Sequence, residues 1–311
     1  MRYLVSRLAS AAVVLLAAFT LACLLLQALP GDAVMIRFEN PELGLTPEQI
    51  AQIRESYGAD AGLLAKYWHA LSGTLSGDLG FSVASGAPVR VLLGEAIPST
   101  LLLAGLGFVV AAILASILAF ASTLSRFGWL RNFLRSLPSL FVSVPVFWLG
   151  IVLIQVVSFR LGWIPVIRPG PLGSLILPVL TRAVPLGAPL AQVLVRAIDD
   201  VKAAPFVTVV RAKGASEAWI LVRNVLRNAA LPTLTIAGVL LGELIGGAVV
   251  TETVFARFGL GRLTASALEG QDTPVLQGIV ILAAFAFVVV NLIVDLIAPA
   301  IDPRLARRVA A

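Results

Sequence analysis

The sequence predicts an all-α, polytopic membrane protein with six transmembrane helices and both termini in the cytoplasm. Three observations carry that expectation: an apolar excess, the spacing of the apolar runs, and a one-sided distribution of basic residues. Of 311 residues, 59% are hydrophobic and 13% are charged, against about 45–50% and about 25% in soluble domains. A water-soluble core cannot absorb that excess, whereas a bilayer can. A span needs about 20 mostly apolar residues to cross about 30 Å of hydrocarbon. Six runs qualify: 10–29, 99–124, 133–159, 175–198, 231–250 and 275–297. Pro185 and Pro189 interrupt the fourth and blur its edges.

Orientation follows from lysine and arginine, which concentrate in short cytoplasmic loops. With six spans, 13 basic residues fall on the side of the termini: Arg2, Arg7, Arg126, Arg131, Arg135, Lys202, Arg211, Lys213, Arg223, Arg227, Arg304, Arg307 and Arg308. The opposite side holds 8, and its long segment 30–97 carries 8 acids against 4 bases. Five or seven spans would scatter this bias. The net charge of +6 sits at the ends of apolar runs and forms no single patch, which argues against nucleic acid as a partner. Cys23 is the sole cysteine, so no intrachain disulfide or thiol metal site can form. The first run is read as an uncleaved helix, because Leu29-Pro30-Gly31-Asp32 lacks a small-x-small cleavage pattern.

The chain therefore divides into a first segment with its helix (1–29), an exported segment (30–97), a five-helix membrane core (98–300) containing a cytoplasmic loop (199–231), and a cytoplasmic tail (301–311). In the exported segment, Thr46-Pro47-Glu48-Gln49 reads as a helix start. Thr46 can cap, Pro47 suits the first helical position, and Gln49 completes a capping box. Ile50, Ile53 and Tyr57 share one face of the helix that follows, and Leu64, Tyr67, Trp68 and Leu71 share a face of the next. Two uses suit such faces: packing on the membrane surface or the protein's own helix ends, and docking of a substrate-delivery protein. His69, the only histidine, reads as an interfacial polar residue.

The loop between the fourth and fifth runs is too long and too polar for a simple turn. It contains Arg211-Ala212-Lys213-Gly214-Ala215-Ser216-Glu217 and continues to Leu226-Arg227-Asn228-Ala229-Ala230-Leu231-Pro232. Gly214 is a natural helix stop. Ser216 can cap a new short helix, with Glu217 near its positive end. Trp219, Val222 and Leu226 would form an apolar edge, and Arg223 and Arg227 lie four apart on one face. Two readings stand for such a helix: insertion into a partner's groove, or an ordinary amphipathic surface helix.

The same residues resemble the coupling loop of binding-protein-dependent ABC importer permeases, in the dipeptide/oligopeptide/nickel branch. The pattern R-A-K-G, a short helix, then L-R-N-A-x-L-P is similar to that branch. Further matching pieces follow in order: Leu29-Pro30-Gly31-Asp32, Asp78-Leu79-Gly80-Phe81-Ser82, Pro98-Ser99-Thr100-Leu101, Ser143-Val144-Pro145-Val146-Phe147, Glu252-Thr253-Val254-Phe255 with Gly259-Leu260-Gly261, and Asp302-Pro303-Arg304. One departure is Thr208-Val209-Val210, where the general permease signature has Glu-Ala-Ala; the branch commonly shows this looser form. The resemblance implies a type I ABC importer permease architecture in a bacterial inner membrane. It also implies two separate ATPase subunits that use ATP and magnesium, a second homologous permease subunit, and a periplasmic substrate-binding protein, all surrounded by membrane lipid. The ATPase-coupling residues it implies are Arg211, Ala212, Lys213, Gly214, Ala215, Ser216, Glu217, Trp219, Arg223 and Arg227. The chain itself is expected to bind no cofactor. Lys66, Lys202 and Lys213 are its only lysines, and none stands in G-x-x-x-x-G-K-[ST].

Ionisable groups inside a membrane are costly and face a cavity or a partner. Glu243 sits among Gly238, Gly242, Gly246 and Gly247. It reads either as a pathway residue or as a structural carboxylate bonded between helices. Arg182 and Arg196 read as snorkelling groups near helix ends, or Arg182 as a pore group pairing with Glu243 or a carboxylate. Glu243, Arg182 and Gln192 are the candidate pathway residues, while Asn291 and Asp295 read as interhelix hydrogen-bonding groups. Pro145, Pro178, Pro185 and Pro189 are expected to kink helices. The rival function is an ion-coupled secondary transporter, which needs ionisable relays and usually an internal repeat. A membrane protease is excluded, because one histidine cannot form H-E-x-x-H and no G-x-S-x-G elbow occurs. Peptides, nickel complexes and opine-like compounds all fit the branch as cargo.

Overall fold

A computed structural model describes residues 2–27, 46–56, 62–167, 169–243 and 246–301. Regular structure among them is helical, apart from one isolated bridge between Phe81 and Pro88. In chain order the helices are α1 (Arg2–Gln27), α2 (Pro47–Ser56), α3 (Leu63–Ser76), α4 (Val89–Leu124), α5 (Gly128–Val142), α6 (Val146–Leu153, widening into π-turns over Ile154–Arg160) and α7 (Gly170–Lys202). They continue as α8 (Pro205–Ala212), α9 (Glu217–Ile220, followed by π-turns over Leu221–Val225), α10 (Leu226–Glu243), α11 (Ala248–Val254), α12 (Leu260–Glu269) and α13 (Thr273–Ile301).

Five helical stretches are long and apolar enough to cross a membrane: Ala9–Leu26, Val89–Leu124, Leu172–Lys202, Glu217–Gly242 and Thr273–Ile293. The pair Gly128–Val142 and Val146–Arg160 gives a sixth, bent by 106°. By length and composition the described residues supply five membrane-crossing stretches, or six if the bent pair is one span. The bend falls at Ser143-Val144-Pro145, where proline cannot continue the hydrogen-bond ladder of α5. The run 133–159, which reads as one apolar stretch, is thus two helices with a sharp bend between them.

Three edges differ from the sequence reading, each for a physical reason. The second span starts at Val89, ahead of Pro98-Ser99, with Pro98 inside the helix. Val89, Leu93, Ala96 and Thr100 recur at helical spacing and are all buried, and this stripe meets α13 at Gly278. The fourth span runs unbroken through Pro178, Pro185 and Pro189, because neighbouring helices can shelter the backbone groups that proline frees. The apolar run 231–250 does not form one helix: α10 ends at Glu243 and α11 starts at Ala248. The fifth span is instead completed upstream, from Glu217.

Contacts divide the chain into two compact units, Met1–Thr100 with Arg257–Val288, and Leu101–Ala256 with Val289–Ala311. In the first, separate sequence motifs bond to one another. The Asp272 carboxylate accepts from Ser82 Oγ at 2.5 Å, from Val83 N at 3.2 Å and from Ala84 N at 3.1 Å, holding the 78–88 loop against the start of α13. Thr100 Oγ1 accepts from Leu260 N at 2.8 Å, supplying a partner for an N-terminal amide of α12 that the helix itself leaves open. The capping box at α2 also forms: Thr46 N donates to Gln49 Oε1 at 2.9 Å and Gln49 N to Thr46 Oγ1 at 3.4 Å. The side chains of Ile53 and Tyr57 lie outside the described residues.

In the second unit α7 is the central helix, packed by α5, α6, α10 and α11. Small residues set the spacing. Ala111, Ala115, Ala183, Leu190, Ala191, Ala237 and Leu240 form one buried cluster, and a Cβ at Gly187 would stand 3.0 Å from the carbonyl oxygen of Ala111. That neighbour is backbone and cannot rotate away, so the α4–α7 approach needs glycine there.

Gly187→Ala is therefore expected to destabilise the detergent-solubilised protein by about 1–3 kcal/mol, the usual cost of overpacking. Gly105→Ala, with open space around the new Cβ, should leave the thermal melting midpoint unchanged or slightly raised. Equal midpoints for the two variants would show that the helices do not approach this closely.

Candidate functional site

The predicted coupling segment begins where α7 ends at Lys202. Pro205 opens α8 with a φ already suited to a helix, and α8 stops at Ala212. Gly214 then turns the chain with φ +86°, a left-handed conformation that disfavours any side chain. Ser216 follows in extended conformation and its Oγ accepts from Trp219 N at 3.3 Å, capping α9. The stop and the cap read from the sequence both form. The helix after the cap is not a separate short one, however. It continues through the π-turns of Leu221–Val225 directly into α10, so the segment and the fifth span are one rod.

Glu217 lies in the first turn of α9, where a negative charge complements the helix N-terminus. Its two carboxylate oxygens are shared out: Oε1 accepts from Arg211 Nε at 2.7 Å, and Oε2 pairs with Lys202 Nζ at 2.9 Å. One carboxylate thus joins the end of α7, the end of α8 and the start of α9. These pairs are half-exposed, and such pairs contribute about 0–1 kcal/mol each, so they orient the elbow more than they stabilise it. Stability comes from beneath. Val207, Ile220, Leu221 and Val225 are buried with Leu194, Val195, Ala197 and Ile198 of α7, Ala119 of α4 and Ala229 of α10. Arg135 of α5 adds a brace to Asp199 of α7 at 2.8 Å.

The outer face is the complement of that core. Trp219 and Val222 are exposed at 50% and 62%, with Arg223, Arg227, Lys213 and Ala212 also exposed around them. Ala215 and Leu226 instead pack on the buried cluster, so Leu226 is not part of the outer apolar edge. A π-turn adds a residue to the helical repeat and re-aims the side chains flanking it, which places Trp219 and Val222 outward while Ile220, Leu221 and Val225 face in.

Of the three candidate pathway residues, Arg182 and Gln192 have described side chains. The Glu243 side chain lies outside the described residues, as does that of Asp295. Gln192 is half-buried on α7. Arg182 is not a snorkelling residue: it stands well inside α7 and is 6% exposed, whereas Arg196, nearer the helix end, is exposed. The Arg182 stem lies along Gly107, and two of its nitrogens, Nε and Nη1, are buried without a hydrogen-bond partner. Its electrostatic partner is Glu252 of α11, which is fully buried. In the sequence Glu252 is one residue of a Glu-Thr-Val-Phe motif, and Lys202 is a basic residue at the end of an apolar run; neither shows a partner there. A carboxylate in an apolar stretch, and a lysine at a helix end preceding an R-A-K-G run, are the signals that could have marked them.

Comparison with known proteins bears on the whole chain. Residues 107–307 match the family described as "Binding-protein-dependent transport system inner membrane component", and residues 1–104 match the N-terminal region of the same kind of membrane component. The chain is similar to the glutathione transport system permease protein GsiC of Escherichia coli O6:H1, with 33% identity over 303 residues, covering 97% of this chain and 98% of the relative. GsiC of Salmonella typhimurium is 34% identical over 307 residues, with 97% and 98% covered. Among solved structures, an inward-facing MetNI methionine ABC transporter matches with a TM-score of 0.57 at 18% identity, covering 68% of this chain and 97% of that one. An amino acid ABC transporter crystallised with histidines matches at 0.53 and 17%, covering 68% and 94%.

Glu217→Gln removes the charge that Lys202 and Arg211 share while leaving the Ser216 cap in place. Amide exchange across 203–216 should accelerate by the equivalent of about 1 kcal/mol or less, with exchange in the middle of α7 unchanged. Unaltered exchange across 203–216 would show that the ion pairs do not hold the elbow.

Proposed function

The chain belongs to the binding-protein-dependent transport system inner membrane components, and from that premise we propose that it forms half of the translocation pathway of an ATP-driven importer and couples to a separate ATPase through residues 199–231. The observation that carries this reading is the elbow at Gly214. A capped helix end is braced by Lys202, Arg211 and Glu217, and Trp219 and Val222 stand outward within a rim of Arg223 and Arg227. An apolar knob with a basic rim suits a groove lined by apolar and acidic groups. Because α9 and α10 are one rod, a displacement of the knob is carried into the fifth span as a rigid-body motion. ATP and magnesium belong to the ATPase subunits in this scheme, a second permease subunit supplies the other half of the pathway, and a periplasmic binding protein delivers the solute. Membership in this family sets aside ion-coupled secondary transport.

The proposed cargo is a small peptide-like solute carrying carboxylates. The relatives named for glutathione transport support it, as does the chemistry of Arg182. A buried guanidinium with two unpartnered nitrogens is costly in an apolar medium, and a carboxylate offers the planar, two-oxygen acceptor that fits it. Arg182, Gln192 and Glu243 are accordingly proposed as pathway residues, with Glu252 holding the Arg182 charge when no solute is present. Nickel complexes remain the second cargo class of the branch.

Two outcomes test the coupling assignment. Gly214→Pro forces φ near −65° where +86° is needed, and Glu217→Arg sets three cations together. Each should lower ATP-dependent uptake in vesicles by roughly tenfold or more, the scale of a coupling free energy of about 1–3 kcal/mol, while the subunits still co-purify. Normal uptake in both, or ATP-independent transport by this chain alone, would overturn the reading. For the cargo, Arg182→Gln should raise the KM for glutathione more than it lowers maximal uptake, with Arg182→Lys intermediate. Equal loss of maximal rate in both, at constant KM, would assign Arg182 a structural role.

A further inference from the structure

We propose that α3 is an interfacial helix of the outer leaflet, with Leu64, Trp68 and Leu75 set among phospholipid acyl chains. The helix has three distinct flanks. Leu64, Trp68 and Leu75 fall within a narrow arc at helical spacing and are exposed at 75%, 59% and 81%, with half-buried Leu71 on the same arc. His69, Ser72 and Ser76 occupy the next flank and are exposed. Tyr67 lies on the remaining side and ties the helix to α1: its ring meets Phe19 edge-on with centroids 5.4 Å apart, and its oxygen is 3.0 Å from Thr20 Oγ1. Thr20 donates its own proton to the Leu16 carbonyl at 2.7 Å, so the Tyr67 hydroxyl is the donor to Thr20.

That contact sets the depth of α3. Phe19 and Thr20 belong to the apolar window Ala9–Leu26. At 1.5 Å per residue, Thr20 lies about 9 Å inside the outer end of that window. A tyrosine reaching inward to this level leaves its own helix axis near the boundary between headgroups and acyl chains, where amphipathic helices lie about 5–10 Å deep. The polar flank with His69, Ser72 and Ser76 is then directed to water. α1 itself leaves Leu21, Leu24 and Leu25 exposed at 59%, 55% and 68%, as a helix within an apolar window does. The depth set by Tyr67 inside the apolar window of α1 favours acyl chains over a protein partner. No charged side chain lies on the apolar arc, since Lys66 projects from the far side of the helix.

Nitroxide accessibility tests the proposal. In a Cys23→Ser background, single cysteines are placed at Leu64, Trp68, Leu75, His69 and Ser72 of the full chain, spin-labelled, and reconstituted in phosphatidylethanolamine–phosphatidylglycerol vesicles. Labels at 64, 68 and 75 should relax with molecular oxygen and resist a water-soluble nickel chelate, and labels at 69 and 72 should show the reverse. Where Trp68→Cys impairs assembly, Leu64→Cys and Leu75→Cys suffice, since they report on the same flank. Nickel access at 64 and 75 would place the flank in water and overturn the proposal. Access by neither reagent would show a protein surface covering it, whether a partner or a second copy, and would overturn it equally.

Discussion

Hydrocarbon offers no hydrogen bonds, so every polar group within the spans must be satisfied by the chain itself. Most of this structure answers that demand. Serine and threonine hydroxyls in the helices donate back to carbonyls one turn earlier, as Ser116 does to Ala112 and Thr233 to Ala229. Three prolines are carried inside α7 without ending it. Small residues, including Ala111, Ala183 and Gly187, bring helices close enough for dispersion forces to hold them, since apolar burial has little driving force between helices already surrounded by lipid. Arg182 and Glu252 stand against this background as two buried opposite charges, and their placement in one unit is what makes either tolerable.

At the membrane edge the balance changes, because water competes for every ion pair. The three-way contact of Glu217 with Lys202 and Arg211 has short distances and modest energy. Its value is geometric: one carboxylate aligns three helix ends over an apolar platform built from Val207, Ile220, Leu221 and Val225. The platform fixes which side chains are left outside, namely Trp219, Val222, Arg223 and Arg227.

Much of this was legible in the chain. The Ser216 cap, the Gly214 stop and the Thr46–Gln49 capping box rest on local backbone chemistry, and all three form. Five of the six apolar runs correspond to long apolar helices, and the third to a bent helix pair. Element edges were less legible. Pro98 reads as a helix start, yet the buried stripe Val89–Leu93–Ala96–Thr100 carries the helix through it. The run 231–250 reads as continuous, yet α10 and α11 are separate. In both cases tertiary packing outweighs a local signal of smaller energy. The nearness of Glu252 to Arg182 was not legible for another reason: charge pairing depends on which helices meet, and sequence distance carries no information about that.

The sequence by itself determined that this protein lies in a membrane, where its helices are capped, and which loop carries the basic elbow. Each of those depends on composition or on contacts within a few residues, and such information is written along the chain. Tertiary structure alone decided that Asp272 anchors the 78–88 loop across a separation of 190 residues, that Glu252 is the counter-charge of Arg182, and that the elbow is continuous with the fifth span. Those depend on helices remote in sequence arriving side by side, and only the packed fold determines which of them meet.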